Sequence, residues 1–183
     1  MEIREFDEFL RRQQSDASIA AATNWDQERN EWLKSLDDLY AKVESLLGKY
    51  ISSGQIRFEY KPIELNEENI GSYTARQMIL KIGRQDVVLR PIGTLLIGFK
   101  GRVDIEGSVG RAQIALVDSN ATGVASLIHV SVGVGGKLPV VPEGEKRSPI
   151  KWTWKIITRP PERRFLEITQ QTLFQLIMEV ANA

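Results

Sequence analysis

The residues best suited to chemistry sit in the middle of the sequence. Lys100, Arg102, Asp104 and Glu106 alternate along one segment, and Asp118 follows a short way on. In an extended strand successive side chains point to opposite faces, so these four would share one face. Carboxylates placed this way can hold a divalent cation beside an assisting lysine, the arrangement of a metal-dependent hydrolase or nuclease. The competing reading is a solvated row of alternating charge that pairs with itself. The sequence favours that second reading. Glu106 runs into Gly107-Ser108, and the Glu-x-Lys spacing of restriction-type nucleases is missing.

Two loop motifs invite a ligand and fail on spacing. Gly133-Val134-Gly135-Gly136-Lys137 has the glycine–lysine ending of a phosphate-binding loop. Ser131 stands where its first glycine belongs, Leu138 where Ser or Thr belongs, and Pro139 and Pro142 oppose the helix that must follow. Asp118-Ser119-Asn120-Ala121-Thr122-Gly123 opens like a calcium loop, but His129 occupies the position of the bidentate glutamate. An Asx turn accounts for the same residues. Neither motif implies a metal or a cofactor.

His129 is the one histidine, and it shares a mostly apolar segment with Ala125, Leu127 and Ser131. That setting reads as a hydrogen-bonded core residue. No Gly-x-Ser-x-Gly elbow is present. The chain has no cysteine, which excludes a thiolate nucleophile, a disulfide scaffold and a Cys-ligated metal. No catalytic residue is therefore expected.

A binding surface is a better fit to the composition. Lys151-Trp152-Thr153-Trp154-Lys155 interleaves aromatics with lysines, a pattern able to stack bases and neutralise phosphates. Strand alternation instead turns the tryptophans toward a core and leaves the lysines as a basic face. The 24 basic and 24 acidic side chains cancel overall, which argues against a nucleic-acid coat. They are not evenly spread. Residues 1–70 carry nine basic and fifteen acidic groups, net −6, and residues 71–183 carry the reverse, net +6. Between 146 and 164, Lys146, Arg147, Lys151, Lys155, Arg159, Arg163 and Arg164 face only Glu162. These seven are the candidate partner-binding residues. The competing reading is that the acidic half neutralises them within the fold or across a homodimer.

The elements that would position these residues follow from glycine placement and periodicity. Twelve of the 14 glycines lie between Gly71 and Gly144, so strands and turns belong in the middle and helices on the flanks. Residues 1–22 contain a modest, mobile amphipathic helix through Ile3, Phe6 and Leu10. The main helix spans 24–52, capped by Asn24 with Gln27 at capping-box spacing. Trp32, Leu36, Leu39, Val43, Leu46 and Tyr50 form its apolar stripe. Period-two segments appear at 56–60, 73–82, 86–91, 93–99, 101–106, 111–118, 123–132, 150–158 and 163–168. Breaks this short suit antiparallel hairpins, while 133–149 is a long Gly/Pro-rich loop. Thr169 caps a last helix over 169–182, with Ile168 and Leu173 as a hydrophobic staple.

The expectation is one α+β domain over 1–183. Its largely antiparallel meander of six to eight strands (55–168) has N-terminal helices and a C-terminal helix packed on one face. The mixed-charge N-terminus is unlike a signal peptide, and no apolar run reaches membrane-span length, so a cytoplasmic protein with no membrane partner is expected. The leading functional expectation is a non-enzymatic binding protein of adaptor, accessory or immunity type, engaging a protein partner and less readily a nucleic acid. A carrier of a small apolar ligand between sheet and helices comes second, and a metal-dependent hydrolase third.

Overall fold

The computed structural model describes residues 4–11, 14, 24–94, 99–124 and 149–181. A short helix α1 covers 4–11, followed by the long helix α2, Trp25–Ser52. Strands β1 (Ile56–Glu67), β2 (Gly71–Ile82), β3 (Gln85–Gly93), β4 (Gly101–Glu106), β5 (Arg111–Asp118), β6 (Trp152–Ile157) and β7 (Phe165–Glu167) come next, and helix α3, Gln170–Ala181, closes the chain. The seven strands form one antiparallel sheet in sequence order, the expected α+β meander.

The helix ends follow local chemistry. Asn24 accepts from the Gln27 backbone N–H at 3.1 Å, while the Gln27 side chain turns forward to Glu31. At the other end of α2, Gly54 adopts φ +75. Its N–H donates to Ile51 and that of Gln55 donates to Tyr50, a Schellman stop that a residue bearing Cβ would strain. At the start of α3, Thr169 and Thr172 cap each other reciprocally, and Ile168 and Leu173 are buried beneath them.

Helices α2 and α3 pack on the same face of the sheet. Trp32, Leu36, Leu39, Val43 and Leu47 of α2 and Leu173, Leu176 and Val180 of α3 meet Met78, Leu80, Leu89, Val103, Ile105, Ile114 and Ile156. The α2 stripe lies slightly rotated from expectation: Tyr40 and Leu47 are fully buried, whereas Leu46 and Tyr50 are half-buried. Gly101 permits the closest helix–sheet approach, since a Cβ there would sit 2.1 Å from Trp32 Cζ3. Gly107 does the same for α3, where a Cβ would meet the Val180 carbonyl oxygen at 2.2 Å. Helix α1 does not join this layer, because every residue from 4 to 11 is exposed.

Other expectations need adjusting. The strand expected at 86–91 is β3, which runs on to Gly93, and most of the segment expected at 93–99 lies outside the described residues. The strand expected at 123–132 and the loop at 133–149 lie almost wholly outside the described residues, with His129 among them; Gly123 bridges Arg164. The other face of the sheet carries a second cluster of Ala115, Val117, Ala121, Ile157 and Phe165. Among the described residues no helix is long and apolar enough to cross a membrane.

Candidate functional site

The carboxylate row on β4 is tied up by arginines. Asp104 pairs with Arg102 at 2.9 Å and Arg111 at 4.0 Å, and Glu106 pairs with Arg111 at 2.9 Å and Arg90 at 3.4 Å. Burial pushes the Asp104 carboxyl above its ordinary value, against the opposing pull of Arg102 and Arg111. Lys100 turns away to Glu31 at 2.7 Å, with its ammonium 5.6 Å from the Trp152 ring centre. Asp118 faces Trp152 at the far end of β5, five residues beyond the Gln113 that faces Asp104. At about 3.4 Å per residue this separates the carboxylates by about 17 Å. The structure therefore does not bring the nuclease-like set together. The Asp118 turn is an Asx turn, closed by the Asn120 N–H on Asp118 Oδ1 at 2.9 Å.

The basic segment is also divided. Lys155 does not belong to an exposed basic face: it is 7% exposed. Its ammonium donates to the Ser119 and Ala121 carbonyls at 2.9 and 3.0 Å and pairs with Glu167 at 3.2 Å. Alternation gave the direction of this side chain correctly, but residues 119–121 cover that face and supply two of the three acceptors for its protons. Lys151 and Trp152 are exposed at the start of β6, and Trp154 is buried with its indole N–H on the Ser35 carbonyl at 2.9 Å. Arg164 is exposed and pairs with Glu162 at 2.6 Å. Lys146 and Arg147 lie outside the described residues.

Arg159 and Arg163 do come together, on the rim of a cleft of about 480 Å³ between the β5–β7 end of the sheet and α3. Its floor is apolar, made of Ala112, Ile156, Leu166 and Leu176; its rim is polar, with Arg111, Gln113, Thr158, Gln175 and Glu179 beside the two arginines. The turn that carries Arg159 and Arg163 is closed at its base by reciprocal bonds between Thr158 and Arg164 at 2.8 and 2.9 Å. Arg159 leans across to Glu179 at 2.5 Å. Arg163 holds φ +40, a conformation that costs a non-glycine residue on the order of 1 kcal/mol. It is exposed and forms no ion pair among the described residues.

Three guanidiniums around an apolar floor can pair with carboxylate or phosphate groups while apolar parts of the same ligand lie beneath. The sequence reading missed Arg111 and Glu179. Arg111 reaches the rim through the β5–β6 register, which pairs its neighbour Gln113 with Ile157. Thr172, Gln175 and Glu179 recur at helical spacing on one side of α3, a signal legible in the sequence but one without a destination there. The chain matches no family model, no curated protein and no solved structure.

Proposed function

We propose that this protein is a non-enzymatic intracellular binding protein that engages another macromolecule by seating an acidic segment of it in the cleft along α3. The carrying observation is the arginine rim over an apolar floor, with Arg163 unpaired among the described residues and held in a strained backbone. The rim favours carboxylates through charge-assisted hydrogen bonds, and the floor favours apolar side chains interspersed among them. The ion pairing of Asp104 and Glu106 supports binding over metal chemistry.

The test is fluorescence anisotropy with a panel of labelled peptides that alternate glutamate with leucine or phenylalanine. Arg159→Glu/Arg163→Glu should weaken the best binder at least tenfold, and Lys151→Glu should change it less than twofold. Equal binding by the double variant, or tighter binding of a single-stranded oligonucleotide than of any peptide, overturns the reading. The apolar floor also favours a second reading, a carrier of a small apolar ligand between sheet and helix. That reading expects a co-purifying small molecule in native mass spectrometry.

A further inference from the structure

Among the described residues, apolar surface also lies away from the cleft, in two separated pieces. On α1, Phe6 (53% exposed), Phe9 (53%) and Leu10 (42%) stand at helical spacing, so they form one exposed apolar stripe. The other piece is an open groove of about 200 Å³ on the far side of α3, lined by Leu47, Tyr50, Ile56, Ile82, Phe174 and Met178. Met178, at its lip, is 49% exposed. We propose that the α1 helices of two copies exchange, each seating Phe6, Phe9 and Leu10 in the groove of the other, to form a twofold dimer.

Geometry selects a second copy over the chain's own groove. Helix α1 is joined to the N-terminal end of α2, and the groove lies at the opposite end, beside Leu47 and Tyr50. From Asn24 to Tyr50, α2 rises about 39 Å at 1.5 Å per residue. The residues from Arg11 to Asn24 reach about 43–47 Å only when fully extended. Self-docking therefore demands a nearly straight tether along most of the helix. A partner copy sets no such limit. Charge agrees as well. Lys49 lies 5.9 Å from the Tyr50 ring centre at the groove's edge and forms no ion pair among the described residues. Glu5 and Asp7 border the apolar stripe of α1 on either side.

Sedimentation velocity on the full 183-residue chain tests the exchange. The chain should sediment as a concentration-dependent dimer. Phe6→Asp/Phe9→Asp and, separately, Met178→Asp should each weaken self-association at least tenfold, and the circular dichroism of the α1 variant should stay unchanged. Because the chain has no cysteine, Phe9→Cys and Met178→Cys chains can be mixed and oxidised, and they should cross-link to each other. A monomeric wild-type chain, a dimer that survives both variants, or a dilute double-cysteine chain that closes on itself would overturn the proposal. These changes leave the arginine rim intact, so peptide binding at the cleft reports separately.

Discussion

The two flanks of α3 carry opposite chemistries on one twelve-residue helix. Leu173 and Val180 anchor it to the sheet, fully buried. To one side of that stripe lie Thr172, Gln175 and Glu179, facing an arginine-rimmed cleft; to the other lie Phe174, Ile177 and Met178, facing an apolar groove. The difference lies in what each can refuse. The rim discriminates by charge and stays hydrated when empty. The groove discriminates only by shape and gains most from being covered.

The comparison can be broken most severely at the shared support. Gly107→Val forces a Cβ into the Val180 carbonyl, so it should lift the end of α3 and destabilise the chain by about 3 kcal/mol. Differential scanning calorimetry should show the melting temperature fall by about 6–12 °C. An unchanged melting temperature would mean that this contact does not hold α3, and the frame of both flanks would fail with it. Gly48→Ala makes the matched control near the C-terminal end of α2, where nothing lies within 4 Å of the added methyl group. It should stabilise by about 1 kcal/mol through helix propensity.

A finer cut separates the flanks. Glu179→Gln removes the carboxylate that occupies Arg159, so acidic peptides should bind about threefold tighter, as expected from an exposed ion pair worth less than 1 kcal/mol. Self-association, read by sedimentation, should not move. The smallest effect is a slope. Asp104 shares Arg111 with the cleft and has its carboxyl raised by burial, so the folded chain keeps a proton that the unfolded chain has lost. Stability from this group is therefore present below its ordinary value near 3.8 and lost as pH rises through its folded value. Urea midpoints of wild type and Asp104→Asn, compared across pH 4 to 7, should show wild type losing ground as pH rises. A gap that moves the other way would place the ionised carboxylate as stabilising.

Much of the frame was legible because it is local. The stripe of α2, the caps of both helices, the alternation of β6 and the short hairpin breaks all depend on residues near one another in sequence. The misreadings have tertiary causes. Lys155 points as alternation dictates, but the sequence does not say that residues 119–121 return to cover it. Along β1 the inward positions pass from Ile56, Phe58 and Tyr60 to Ile63 and Leu65, and β2 answers by passing from Leu80 and Met78 to Ala75 and Tyr73. A strict period of two does not survive that change of face. Pro62 falls at the switch, on an outer strand whose ladder can spare an N–H. Arg111 and Glu179 became site residues only when β5 and α3 were brought beside the turn after β6.

The strand order has a consequence for the timing of synthesis. Through β5 each strand meets one only a short turn upstream, so most of the sheet can zip together as the chain leaves the ribosome. The β5–β6 pairing breaks that rhythm, since Asp118 must wait for Trp152. Every wall of the cleft except β5 is translated after that wait, whereas α1 precedes the whole sheet. In a growing polysome, the exposed apolar stripe of α1 is therefore on offer long before the arginine rim exists.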